Sequence, residues 1–252
     1  MKKIMGFFIA IACLAAFPRL LAQSAITLSQ QDLDSAQWVY SNFVALAKPT
    51  DTLYDAPRYF FADGARGYII RLRSGDIGYT DDPHTNSLKL IRSEYCQASL
   101  IVVAHDTAET TVLSPNKRAV FTATQFKIER ILKDVDSHKV GDSVTFVHLG
   151  GTYKDDQGNL LRVAVKNDRP YKKGGLYLLL LVKARGHNHP SSVYFGSVDQ
   201  IEVRDGHIFP TKRLTDSPLI PNPARYGESL DTYWKRITDY LATAPCTAEV
   251  GP

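Results

Sequence analysis

Residues 119–132 read AVFTATQFKIERIL, and their alternation decides the fold class. Thr122, Thr124, Phe126 and Ile128 fall on one face of an extended chain, with Gln125, Lys127 and Glu129 on the other. A period of two marks a β-strand with one packed face and one wet face. Upstream, 100–104 (LIVVA) is apolar at every position, as a strand buried on both faces must be. Downstream, 139–148 (KVGDSVTFVH) places a turn at Gly141-Asp142 before another strand, and 160–165 (LLRVAV) reads as one more. Lys173-Gly174-Gly175 introduces 176–184 (LYLLLLVKA), the most apolar strand of the chain. The series closes with 192–210 (SVYFGSVDQIEVRDGHIFP), whose Asp205-Gly206 marks a hairpin turn. Short strands separated by turn signals over 93–210 predict a mostly β fold, a small closed antiparallel OB-like barrel.

Both flanks carry helical periodicity. Over 29–48, Leu33, Ala36, Tyr40, Phe43 and Ala47 form one stripe, widened by Val39 and Leu46. Ser29 reads as the N-cap, Asp32 and Asp34 sit where the helix dipole favours acids, and Pro49 stops the helix. In 58–72 (RYFFADGARGYIIRL), two short strands flank an Asp63-Gly64 turn, whereas 75–87 (GDIGYTDDPHTNS) has the composition of a loop. Residues 23–92 therefore read as an N-terminal extension packed on the barrel. Residues 211–252 read as a linker and a C-terminal helix, with Ser229 as its cap and Leu230, Trp234, Ile237 and Leu241 along one face.

The chain opens with Lys2 and Lys3, an apolar run from Ile4 to Ala16, and small residues at Ala22, Ser24 and Ala25. That layout predicts a signal peptide over 1–22 cut after Ala22, with Ala25 as the alternative, and a periplasmic or secreted protein. Cys13 raises a lipoprotein signal as a second possibility, but apolar sequence continues through Phe17. Losing Lys2, Lys3 and Arg19 lowers the formal charge from +4 to +1. The remaining basic residues cluster only in twos (Lys117-Arg118, Lys172-Lys173, Lys212-Arg213). Nucleic acid is therefore not the expected partner. Nor is a membrane span expected in the mature chain, because 177–182 is far too short.

Two cysteines remain after the leader, Cys96 and Cys246. An even count in an oxidising compartment predicts a disulfide; two free thiols are the alternative.

The run 93–183 resembles the netrin-like module, the OB-type barrel of tissue inhibitors of metalloproteinases, also similar to that of exported bacterial proteins of unassigned activity. The matching residues are Cys96, Ala98, Leu100 and Ile101 ahead of a strand, then Phe126 to Lys133, Val140-Gly141-Asp142, and Lys173-Gly174-Gly175 with Tyr177, Leu178 and Leu179. The resemblance implies a fold more than a function. In that family the first cysteine is the N-terminus, and its amine and carbonyl chelate the protease zinc. Here a long segment precedes Cys96, so its nitrogen is an ordinary amide. The inhibitor chemistry does not carry over.

Motifs for catalysis are sparse. Residues 195–199 (FGSVD) lack the last glycine of a nucleophile elbow, and His-Glu-x-x-His, a phosphate-binding loop and Gly-x-Gly-x-x-Gly are all missing from the sequence. A Cys96–His105 dyad would need groups about 30 Å apart on an extended strand to meet. Gly150-Gly151 after His148 reads as a strand-end turn rather than an oxyanion hole. His187 and His189 are the candidate metal ligands, two apart as on a strand, with His148 or His207 as a distant third. Gly186 and Pro190 bracket them, so the plainer reading is a polar hairpin tip. Asp81, Asp82 and His84 form a second such cluster, with a solvated loop as its plainer reading.

The expectation is an exported module that binds a protein or small ligand at barrel rim loops 105–118, 150–159 and 184–192. No catalytic residue and no cofactor are assigned. The rivals are a metal-dependent hydrolase using His187 and His189, and a structural subunit of an envelope complex.

Overall fold

A computed structural model of the chain describes residues 26–41, 52–55, 59–70, 82–166, 170–184, 191–196, 200–210 and 224–246. The alternation at 119–132 builds strand β4 (Val120–Asp134), paired antiparallel with β3 (Leu100–Leu113) along almost its whole length. Their connection is set by Ser114, 2% exposed, whose Oγ accepts from the amides of Arg118 (3.1 Å) and Ala119 (2.9 Å). Register shifts between Ile101/Val102, Val103/Ala104 and Asp106/Ala108 let this long ribbon bend, as bulges do.

Described in order, the earlier elements are α1 (Gln30–Val39), β1 (Tyr59–Phe60), β2 (Arg66–Ile70) and α2 (Pro83–Gln97). After β4 come β5 (Ser143–Leu149), β6 (Gly151–Lys154), β7 (Leu160–Val165) and β8 (Leu176–Val182). The rest are β9 (Tyr194–Gly196), β10 (Ile201–Arg204), β11 (His207–Pro210), β12 (Glu228–Ser229) and α3 (Leu230–Thr243). Among the described residues the strands form an eight-stranded sheet, β12-β11-β10-β8-β3-β4-β5-β9, and a four-stranded sheet, β1-β2-β7-β6. β9 pairs with both β5 (parallel) and β8 (antiparallel), so the path β8-β3-β4-β5-β9 returns to β8 as a ring of pairings.

Leu100, Val102, Ala104, Phe126, Ile128, Val144, Phe146, Leu179, Leu181 and Tyr194 form one core cluster inside this ring. Phe146 needs Gly196 beside it: a Cβ there would stand 2.5 Å from its Cε2. The other faces of β3 and β8 are buried as well, because Ile101, Val103, Leu178 and Leu180 pack against Ile91 of α2 and Leu230, Tyr233 and Ile237 of α3. That double burial explains why LIVVA and LYLLLL lack alternation. On the opposite flank, Phe121, Ala123, Val147 and Leu149 pack with Ala36 of α1 and with Leu161, Val163 and Val165 of β7.

α1 starts with a capping box between Ser29 and Asp32. Asp32 also accepts from Ser192 N (3.0 Å) and Ser192 Oγ (2.9 Å), tying the helix to the segment before β9. Burial pushes its carboxyl up, but the bonds from Ser29 and Ser192 outweigh this and hold it below the usual range. The helix expected over 29–48 instead ends at Val39, with Tyr40 as its C-cap, and residues 42–48 lie outside the described residues. The leader, Cys13 and the cleavage site lie outside the described residues.

Three expectations are corrected. Residues 82–87 open a helix, not a loop: Asp82 caps α2 by accepting from His84 N (3.0 Å) and Thr85 N (3.2 Å), and Pro83 occupies the first turn. Cys96 accordingly lies in the last turn of α2, four residues before β3 begins. Residues 105–113 belong to β3, so only the turn beyond Leu113 remains of that rim loop. The strand at 160–165 joins the four-stranded sheet, where it pairs in parallel with β2.

Cys96 and Cys246 form a disulfide, with their sulfurs 2.02 Å and their Cα atoms 5.6 Å apart. Arg92 reinforces the junction by donating through Nε to the Ala244 carbonyl (2.8 Å) and through Nη2 to that of Pro245. No helix among the described residues is long and apolar enough to cross a membrane.

Candidate functional site

The inward face of the ring changes character along its length. On β4 it runs Ile128, Phe126, Thr124, Thr122; on β5 it runs Val144, Phe146, His148. On β3 it runs Leu100, Val102, Ala104, Asp106. The bulge between Asp106 and Ala108 then resets the alternation, so that Glu109 stands opposite Thr124 and Thr111 opposite Thr122. One end of the ring is therefore sealed with hydrocarbon. The other is lined with acids, hydroxyls and an imidazole.

A cleft of about 490 Å³ opens at the polar end, between the ring and strands β6 and β7. Glu109, Thr111, Thr122, His148, Arg162 and Phe61 are among its walls. The second sheet holds those walls in place. Thr122 Oγ1 donates to the Gly150 carbonyl (2.7 Å) and Thr111 Oγ1 to that of Thr152 (3.0 Å). Arg162 donates through Nε to Thr152 Oγ1 (2.6 Å), pairs with Asp63, and lays its guanidinium 4.8 Å from the Phe61 ring centroid. Gly151 allows this approach: its φ is +127°, and a Cβ would stand 2.4 Å from Thr122 Oγ1.

The titratable groups are displaced in opposite senses. Burial raises the Asp106 carboxyl, opposed by Lys173, and raises that of Glu109, which the Asp106 charge raises further. Asp106 is 3% exposed, whereas Glu109 keeps contact with solvent at the opening, so Asp106 is the group the fold desolvates. Burial lowers His148 to about 4, against the bond from Nδ1 to the Leu149 carbonyl (3.3 Å). Although His148 retains some surface, its Nε2 is buried. The ring is thus neutral near pH 7 and presents Nε2 as an acceptor. It stacks on Phe146 at 5.4 Å, with Tyr171 edge-on at 6.0 Å.

Among the described residues, those singled out from sequence are not brought together. His187 and His189 lie outside the described residues, as does Asp81. His148 lines the cleft, but His207 begins β11, where Nδ1 faces the Asp205 carbonyl at 2.9 Å. His105 pairs with Glu129 at 2.8 Å, and Cys96 is taken by the disulfide. Among the described residues no group of three or more His, Cys, Asp or Glu is placed to hold a metal ion. Glu109 and Asp106 escape a reading by alternation because the bulge sits between them. Thr122 and Thr124, polar residues on the packed face of AVFTATQFKIERIL, were the available signal.

Compared with known proteins, the chain matches no protein-family model, and no curated protein is significantly similar to it. Its class is defined by its own architecture: mostly β, with two sheets and, among the described residues, three helices.

Proposed function

We propose that the protein is an exported binding module built on an OB-type, netrin-like barrel, and that the cleft at its polar mouth takes a small ligand. The strand order supports the barrel. With the ring strands numbered in chain order from β3, the pairing runs first, second, third, fifth, fourth and back to first, with the third and fifth strands parallel, as in OB-type barrels. The signal-peptide pattern of residues 1–22 supports export. The observation that carries the binding reading is the cleft itself: a concave space of ligand size in which a few polar groups converge beside apolar walls.

Two measurements test this. N-terminal sequencing of protein recovered from the periplasm or medium should begin at Gln23; a chain retained inside the cell with Met1 or Lys2 intact refutes export. Amide NMR of the mature chain against a small-molecule library should yield compounds that shift Glu109, Thr111, His148 and Gly151 together. A library that leaves these amides unmoved, or one that shifts only residues away from the cleft, refutes the site.

A further inference from the structure

The geometry points to a ligand that carries a primary ammonium group, seated against Glu109 with Asp106 and Thr124 behind it. This deepens the binding-module reading and rests on it. Two buried polar atoms stand next to Glu109, behind the cleft wall rather than in it, and go unused among the described residues. Asp106 Oδ1 and Thr124 Oγ1 have no hydrogen-bond partner among the described residues, and their residues are 3% and 0% exposed. Both belong to the inward face and flank Glu109, Thr124 directly across the strand pair and Asp106 just before the bulge. A buried acceptor without a donor is costly, so the arrangement is completed by something that donates.

The chemistry of the three groups selects the donor. Two carboxyl groups and a hydroxyl present oxygens, and an ammonium supplies three N–H donors with the opposite charge. A metal ion suits this corner less well, because among the described residues no three His, Cys, Asp or Glu converge to hold one. Among the described residues, neither Arg162 nor Lys173 fills the place. Arg162 is turned to Asp63 and Thr152, and Lys173 is exposed at the turn before β8. Burial holds the Asp106 carboxyl above its usual range although Lys173 opposes the rise, so that cation compensates it only in part. On the rest of the wall, the Thr111 and Thr122 hydroxyls are committed to backbone carbonyls and can still accept from a ligand's hydroxyl or amide groups.

The test is calorimetry and amide NMR on the mature chain with 1,4-diaminobutane, Nα-acetyl-lysine methylamide and the neutral 1,4-butanediol. Either amine should bind and shift Glu109 and Thr124, the diol should not, and the amine that binds tighter separates a free polyamine from a lysine side chain. Glu109→Gln, at the solvent-exposed opening, should weaken amine binding at least about tenfold, the low end for a charge-assisted bond. Asp106→Asn should weaken it as well. Diol binding equal to the amines, or amine affinity unchanged in both variants, overturns the assignment. A neutral compound that shifts the cleft amides overturns the ammonium assignment while leaving the binding module standing; amides unmoved by every compound class overturn both.

Discussion

Tyr194 Oη stands 2.5 Å from Asp136 Oδ2, bonding the short strand β9 to the connection between β4 and β5. The phenol is also 3.3 Å from His138 Nε2, whose Nδ1 lies 3.2 Å from Asp134, and Lys183 sits 3.6 Å from Asp136. Burial first, then the bond to Asp136, pushes Tyr194 far above the usual tyrosine range, so it remains a donor. Tyr194→Phe removes that donor and keeps the ring. We expect a loss of about 1.5–3 kcal/mol, as for a hydrogen bond to a charged group, read by urea denaturation. An unchanged midpoint would show the contact to be idle.

His148 makes stability depend on mild acid. Its ordinary value of 6.5 falls to about 4 in the fold, so folding favours the neutral ring. The sign follows: the unfolded chain binds the extra proton, full stability holds above about pH 6.5, and it drains away as pH falls toward 4. The size is about 3 kcal/mol. Asp106 and Glu109, raised in the fold, slope the opposite way. The clean reading is therefore the stability of the parent chain minus that of His148→Asn, which should fall as pH drops across that window. Parallel profiles would rule the effect out.

Opening the Cys96–Cys246 disulfide, which spans 150 residues of sequence, should lower the unfolding temperature. The chain-entropy model sets about 5 kcal/mol as the ceiling. Cys246→Ser should reproduce most of the loss without reductant, and its α3 amides should exchange faster than those of β4. Equal melting of oxidised and reduced protein would contradict this.

Gly151→Ala should distort the cleft. The added methyl meets Thr122 Oγ1 at 2.4 Å on a backbone of positive φ, so the Thr122–Gly150 bond must give way. A cost of about 1–3 kcal/mol is expected, with amide shifts centred on Thr122, Thr111 and His148. Gly64→Ala, at a positive φ but with open space around it, should leave those cleft amides in place.

The strands were legible wherever burial was one-sided or total. AVFTATQFKIERIL declared β4 by alternation, and LIVVA and LYLLLL declared strands packed on both faces. The terminal helix was legible through Ser229 and its apolar stripe. α2 was missed because Asp82-Pro83 has the composition of a turn, and the same pair is also a cap followed by a first-turn proline. The cleft was hardly legible. Its acids lie on either side of a bulge, and its far wall is supplied by Arg162 and Phe61, about a hundred residues apart in sequence and brought together where β2 pairs in parallel with β7.

That parallel pairing makes the front of the chain indispensable to the rest. A fragment beginning at residue 93 would strip β7 of its neighbour along Arg66–Ile70 and lay bare the hydrocarbon that α1 and β2 shield on Phe121, Val147 and Val163. Expression trials that trim the protein to its ring would thus create a sticky raw edge, and the shortest soluble version should retain the segment from Ile26 onward.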